Sequence, residues 1–196
     1  HEQEAVLINA PGGEALREFL AERLPPLGLA LEQVKAVLLT DSTREFVSGI
    51  TPLLDAETGV ILGPERFRDA VEKHHPQIPF LPLEKSEGRF AWLPVTEIPL
   101  ESIGFNRTVY QLKWDQKQVV LTGSLPLKAA QSTPAQMATL FTDLSGMNRS
   151  LRRLRQVPVN IWLPNKPING QNANLYANEW STILQDLRIH LGLPAN

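Results

Sequence analysis

Apolar residues in the first part of the chain form short continuous runs that are separated by a helical pattern. The runs AVLI (5–8), VKAVLL (34–39) and GVILGPE (59–65) predict strands that are covered on both faces. Apolar residues spaced three and four apart over 14–24 predict an amphipathic helix, and a second, short helix is predicted over 47–54. This alternation of strands and helices is typical of an α/β fold with a parallel sheet.

The middle of the chain has a different pattern. Prolines recur between residues 74 and 99, which favours loops and edge strands over packed helices. Polar and apolar residues then alternate over 109–114, and an apolar run follows at 119–121. With the polar stretch 115–118 between them, these two segments predict a β-hairpin.

The last third of the chain is predicted to be mainly helical. Apolar residues at helical spacing from 134 to 154 predict a long helix with a break near Gly146. The run VNIWLP (159–164) predicts a buried strand, and residues 179–191 predict a final amphipathic helix. No repeat, low-complexity tract or linker interrupts residues 1–196, so we expect a single domain.

Composition narrows the class of protein. The chain has 196 residues, 42% of them hydrophobic and 20% charged, with a net charge of −2, which is ordinary for a globular domain. The densest basic run lacks interleaved aromatic residues, so we interpret it as a solvated helix face or a protein contact and expect no nucleic-acid binding. No apolar run approaches the roughly 20 residues of a transmembrane segment. That basic run consists of Arg149, Arg152, Arg153 and Arg155.

Several kinds of catalytic chemistry are unsupported by the sequence. The chain contains no Cys, which excludes disulfides, thiolate metal sites and a Cys nucleophile but does not indicate a compartment. No serine lies in a G-x-S-x-G motif. His74 and His75 precede a proline and are predicted to lie in a solvated loop, where adjacent side chains point in opposite directions and are poorly placed to share a metal.

The most informative stretch is VLLTDSTREFVSGI, residues 37–50, in which an apolar strand runs into a polar loop. Loops that leave the carboxyl ends of buried strands are where α/β proteins place their functional groups. The loop offers Asp41, Thr43, Glu45 and Phe46, and we take it as the candidate site.

Five segments of the chain resemble, in their order, the conserved segments of a known family. They are LINAP (7–11), LTDSTREFVSGI (39–50), GFNRT (104–108), LKWDQKQVVLTGS (112–124) and WLPNKP (162–167). Their order resembles that of the metallo-β-lactamases, in which the matching segments read LIDTG, LTH leading into H-x-H-x-D-H, GHTPG, a hairpin ending TGD, and PGHG. The resemblance implies an αββα sandwich, whose family activity is zinc-dependent hydrolysis.

The resemblance also implies that every zinc ligand has been replaced. The positions that carry ligands in the family hold Asp41, Thr43, Glu45 and Phe46 in the zinc loop, Phe105 in the middle turn, Ser124 at the bridging Asp, and Lys166 at the last His. A catalytic zinc needs three protein ligands and an open position for water. Phe cannot coordinate a metal, and a Lys repels one. We therefore expect no metal or other cofactor, and no metal-activated hydroxide.

Two interpretations of Asp41 remain open. If the resemblance holds, Asp41 and Lys166 both point into the vacated metal cleft and form an ion pair there. Alternatively, Asp41 simply caps the helix turn that follows it. Asp41 and Glu45 together could also hold Mg²⁺ or Ca²⁺ weakly, with waters completing the shell.

The expected function follows from the predicted loss of the zinc ligands. We expect a metal-free, catalytically inactive domain that serves as a structural or protein-interaction subunit of a larger assembly. In the family two or more strands precede LIDTG, so we expect other chains or a missing N-terminal segment to cover the first strand. The Asn-rich stretch 165–180 is either an ordered loop or a partner surface. The alternatives are a small-ligand binding module that uses the vacated cleft and a residual hydrolase with a non-zinc ion.

Overall fold

The computed structural model describes residues 4–85, 90, 92–125, 135, 141–164 and 175–193. The chain divides into two compact units, His1–Trp92 and Leu93–Asn196. Each unit has its own sheet.

The first unit is built on a parallel sheet with the order β1-β2-β3-β4. Its strands are β1 (Ala5–Ile8), β2 (Val34–Leu38), β3 (Val60–Gly63) and β4 (Phe80–Pro82). Its helices are α1 (Glu14–Arg23), α2 (Arg44–Val47), α3 (Ile50–Leu53) and α4 (Arg68–Glu72), with 3₁₀ turns at Pro25–Leu27, Leu31–Gln33, Glu65–Phe67 and Leu83–Lys85. The predicted alternation of strands and helices is confirmed, and the continuous apolar runs of β2 and β3 lie in the core, as expected for strands covered on both faces.

The helix predicted over 47–54 is instead two short helices, α2 and α3. Gly49 lies between them, and its N–H donates to the carbonyl of Ala10 at 2.7 Å. A Cβ at position 49 would lie 2.8 Å from Leu16 Cδ2 and 3.0 Å from the Ala10 carbonyl oxygen. The segment after β1 therefore approaches closely at the break between the two helices, and a larger residue at position 49 would force Leu16 and Ala10 to shift.

The second unit is built on a mixed sheet with the order β5-β6-β7-β8-β9. Its strands are β5 (Val95–Glu97), β6 (Tyr110–Trp114), β7 (Lys117–Gly123), β8 (Ile161–Pro164) and β9 (Leu175–Tyr176), and its helices are α5 (Leu144–Gln156) and α6 (Ala177–His190). Strands β7 and β8 are parallel, and the other neighbours are antiparallel. The core contains Trp162 of β8 and Trp180 of α6, whose rings meet edge to face with centroids 5.3 Å apart.

The predicted hairpin is confirmed with a shorter turn. Strands β6 and β7 are joined by two residues, Asp115 and Gln116, with φ angles of 43° and 63°. Two successive left-handed residues suit the twist of a hairpin. Lys117 and Gln118, expected in the turn, instead extend the ladder and pair with Trp114 and Lys113.

The segment predicted as one helix over 134–154 is interrupted in the structure. Residue 135 is helical, residues 134 and 136–140 lie outside the described part, and α5 begins at Leu144. Phe141 forms an isolated antiparallel bridge with Ile103, which is incompatible with a helix at that position. Asp143 is the N-cap, and its carboxylate accepts the N–H of Gly146 at 2.6 Å. Gly146 therefore lies in the first turn of α5 and does not break it.

Candidate functional site

The loop after β2 is held by its own polar groups. Asp41 is 0% exposed, and its Oδ1 accepts the backbone N–H of Thr43 at 2.8 Å. This carboxylate-to-backbone bond across two residues orders the turn that enters α2. This bond is local, but Thr43 and not Asp41 is the N-cap of α2, so it does not decide between the two interpretations of Asp41. The proposed partner Lys166 lies outside the described residues, so the ion pair stays a prediction.

A buried amide joins the ends of β1 and β2. The Asn9 side chain donates to Thr40 Oγ1 at 2.8 Å and accepts the Thr40 N–H at 2.9 Å. Asn9 has a φ of 59°, a left-handed conformation that Asn tolerates better than most residues. Sequence reasoning missed this residue. The signal that could have found it is a polar residue directly after an apolar strand and just before Ala-Pro.

The remaining loop residues are divided between the interior and the surface. Phe46 is 5% exposed and belongs to the buried side chains of the first unit. Thr43 is partly exposed, and Glu45 is exposed. The position of a predicted lost ligand, Phe46, therefore holds a buried apolar side chain.

One candidate in the second unit, Ser124, contacts a guanidinium. Arg107 Nε donates to Ser124 Oγ at 3.1 Å, and Arg107 Nη1 donates to Asn106 Oδ1 at 3.2 Å. Phe105, in the same turn, is 71% exposed. Arg107 was not predicted; its only sequence signal is a basic residue inside the segment GFNRT. The residue at the expected bridging carboxylate position thus contacts a fixed positive charge.

Neither the loop after β2 nor the contact of Arg107 with Ser124 fits a catalytic zinc ion. Within the described ranges, no group of three or more His, Cys, Asp or Glu side chains is placed to hold a metal. Asp41 is engaged with the Thr43 N–H, and Ser124 accepts from a cation. An arginine next to a hydroxyl opposes a divalent ion by charge and supplies no ligand atom.

A surface cavity of about 420 Å³ lies elsewhere in the first unit. Its wall includes Lys35, whose Nζ donates to Thr58 Oγ1 at 3.2 Å, and the chain around Leu53. None of the candidate cleft residues that the structure describes lines it. It therefore gives no support to a ligand site in the vacated cleft.

Searches by sequence find neither a matching family model nor a matching curated protein. Solved structures do match. A B3 metallo-β-lactamase with an active-site glutamic acid is 16% identical, with a TM-score of 0.68 over 97% of this chain and 79% of that chain. The chain has the metallo-β-lactamase fold.

Two further structures with this fold show the same relationship. A Cronobacter sakazakii metallo-β-lactamase with a HARLDQ motif is 15% identical, with a TM-score of 0.65 over 97% of this chain and 83% of that chain. The metallo-β-lactamase MIM-1 from Novosphingobium pentaromativorans is 13% identical, with a TM-score of 0.66 over 98% of this chain and 80% of that chain. The predicted α/β class and fold type are confirmed, and at these identities the likeness concerns the fold alone.

The structure differs from the prediction for one titratable residue, His75. His75, expected in a solvated loop, is buried, and its Nδ1 lies 2.8 Å from Thr51 Oγ1 of α3. Its Nε2 is buried without a hydrogen-bond partner in the described structure. Desolvation, followed by the charge of the neighbouring His74, lowers the pKa of His75. The packing of α3 against this segment, which local sequence does not encode, accounts for the difference.

A pH-dependent stability follows from the buried imidazole. Because the pKa of His75 is lower in the folded state than its ordinary value of 6.5, protonation favours the unfolded chain. The free energy of unfolding should fall as the pH drops through 6.5 and level off below the folded-state pKa. Urea unfolding between pH 8 and 5 should show this loss in the wild type and in the exposed-site control His74→Asn. His75→Asn should remove the loss, and an unchanged pH profile in that variant would contradict the assignment.

Proposed function

We propose that this chain is a metal-free form of the metallo-β-lactamase fold that acts as a structural or protein-interaction subunit and not as a zinc hydrolase. The observation that supports it best is the loop after β2. There the buried Asp41 is hydrogen-bonded to the Thr43 N–H, and the Phe46 side chain is packed inside. A loop that uses these positions for its own packing has no need of an ion to order it.

The comparison of loop motifs strengthens the proposal. A fold neighbour named for its HARLDQ motif keeps the first His and the Asp of H-x-H-x-D-H. The corresponding stretch here is Asp41-Ser42-Thr43-Arg44-Glu45-Phe46, which keeps neither residue. Proteins called metallo-β-lactamases can thus lack some of these ligands, so the loss of ligands alone does not show that a chain is inactive. The proposal depends on complete replacement together with the packed loop.

Exposed aromatic residues support a role in protein contacts. Phe105 and Trp114, both in the second unit, are 71% and 63% exposed. Single exposed apolar residues are common on protein surfaces. Large aromatic residues are nevertheless the groups that most often anchor interfaces. Trp114 lies at the end of β6, next to the hairpin turn, where a partner could reach it.

Among the described helices, none combines the length and apolar character that crossing a bilayer would require.

A hydrolysis assay separates this proposal from the residual-hydrolase alternative. Metal-free protein is incubated with a chromogenic cephalosporin, alone and with added Zn²⁺, Mg²⁺ or Mn²⁺. We expect no turnover above the buffer rate under any condition, because no metal-bound hydroxide forms. Asp41→Ala and Glu45→Ala variants are the controls. Turnover in the wild type that disappears in both variants would contradict the proposal and support the alternative, in which these carboxylates hold another ion.

A further inference from the structure

Helices α5 and α6 are joined by two polar contacts. Arg188 Nε of α6 donates to Asn148 Oδ1 of α5 at 3.0 Å, and Arg155 Nε of α5 donates to Ser181 Oγ of α6 at 3.0 Å. Asn148 and Arg155 are seven residues apart, as are Ser181 and Arg188, so each pair lies on one helix face. The earlier residue of α5 contacts the later residue of α6 and the reverse, so the two helices are antiparallel.

Arg152 lies between these two contacts. It comes one turn after Asn148 and one turn before Arg155, on the same face of α5. Its Nε is buried and has no hydrogen-bond partner among the residues that the structure describes. Within the described part of the chain, no carboxylate pairs with Arg152. A buried guanidinium donor without an acceptor is costly, and folded proteins rarely leave one.

Arg188 adds a second charge at the same place. Its side chain is 5% exposed, so its guanidinium is largely removed from water. Burial, together with the charges of Arg152 and Arg155, lowers the pKa of Arg188. The contact of Arg188 with Asn148, the contact of Arg155 with Ser181 and the place of Arg152 on the same face of α5 put three like charges along the facing sides of the two helices. Arg152 is only partly buried and Arg155 is exposed, so solvent and small ions can reach them.

The other arginines of the basic run point elsewhere. Arg149 Nε donates to Glu101 Oε2 at 2.5 Å, and Arg153 Nη1 donates to the carbonyl of Pro99 at 2.5 Å. These two residues tie α5 to the segment before β6. The basic run thus has two faces with separate roles, which a count of positive charges in the sequence does not reveal.

We propose that Arg152, Arg155 and Arg188 form a binding site for a phosphate group between α5 and α6. Guanidinium N–H groups match the oxygens of phosphate in bidentate geometry, and such charged hydrogen bonds are the strong ones. A doubly charged phosphate balances more of the three positive charges than a single carboxylate does. The site lies in the second unit and does not depend on the proposed function.

Calorimetric titration tests the site directly. Inorganic phosphate, a nucleoside monophosphate and phosphoserine are each titrated into the full chain, with chloride at matched ionic strength as the control. We expect saturable binding of at least one of the three, and the tightest binder identifies the source of the phosphate. Arg152→Gln should weaken that binding by about tenfold or more, since it removes a charge-assisted bond. The matched control on the same helix, Arg153→Gln, should bind like the wild type.

A second measurement keeps the result independent of folding defects. In phosphate-free buffer, Arg152→Gln should unfold at the same temperature as the wild type or higher, because it relieves repulsion with Arg188. Phosphate should raise the unfolding temperature of the wild type and of Arg153→Gln, but not that of Arg152→Gln. The absence of saturable binding for all three ligands, an equal effect of chloride, or wild-type affinity in Arg152→Gln would each overturn the proposal.

Discussion

Gly146→Ala is expected to lower the free energy of unfolding by about 3 kcal/mol, the upper range for an overpacked site. A Cβ at position 146 would overlap the Ser102 side chain and lie 3.0 Å from Asp143 Oδ2. Ser102 cannot easily move away, because its Oγ donates to Asp143 and its carbonyl accepts the Thr142 N–H at 2.7 Å. Urea unfolding monitored by circular dichroism measures the loss.

A rescue variant tests the cause of that loss. Ser102 has a φ of 57°, which favours glycine, so Ser102→Gly removes the overlapping atoms and relieves backbone strain at the same position. The loss of its bond to Asp143 partly offsets this gain. In the Ser102→Gly background, Gly146→Ala should cost less than about half as much, which gives a positive coupling in the double-mutant cycle. Equal costs in both backgrounds would show that the overlap is not the cause.

Asp41→Ala is expected to lower the free energy of unfolding by about 2 kcal/mol, the cost of losing a hydrogen bond to a charged group. The donor is the N–H of the partly exposed Thr43, and the acceptor is Oδ1 of Asp41, whose side chain is 0% exposed. Asp41→Asn keeps an acceptor oxygen and should cost clearly less. Urea unfolding of both variants provides the comparison.

The sign of the Asp41→Ala effect discriminates between two roles. A carboxylate that orders its own loop stabilises the chain, so its removal is destabilising. A carboxylate retained for binding an ion is commonly held at some expense to stability, and removing it often stabilises the protein. A stabilising Asp41→Ala would therefore contradict the packed-loop account and favour a ligand role for Asp41.

Much of the fold can be predicted from local pattern. The apolar runs of β1, β2 and β3 and the alternation in the β6–β7 hairpin are set by residues close together in sequence. The fold type was predicted from the order of the five segments from LINAP to WLPNKP. The start of α5 could not be predicted in this way. Helical spacing continues through Phe141, and only its pairing with Ile103, far away in sequence, keeps that residue out of the helix.

The candidate site could be predicted only in part, for the same reason. Asp41 and Phe46 were found because they follow a buried strand. Arg107 and Asn9 act through contacts with Ser124 and Thr40, 17 and 31 residues away, which no local pattern reveals. The burial of His75 likewise depends on its packing near Thr51. Long-range contacts, and not local propensity, determine the hydrogen bonds and the burial of these side chains.

The fold by itself does not fix the activity. Fold neighbours named as metallo-β-lactamases share only 13 to 16% of their residues with this chain, and function depends on the side chains placed on the scaffold. Here the scaffold is retained, while Phe46 packs inside and Ser124 contacts a guanidinium.

Zinc stoichiometry is the most direct test of the central claim. Purified protein is dialysed against excess Zn²⁺, passed through a desalting column and analysed by mass spectrometry for metal per chain. If every imidazole ligand is replaced, as the proposal holds, the wild type carries no stoichiometric zinc, and neither does Asp41→Ala or Ser124→Ala. One zinc ion per chain in the wild type, lost in either variant, would contradict the account.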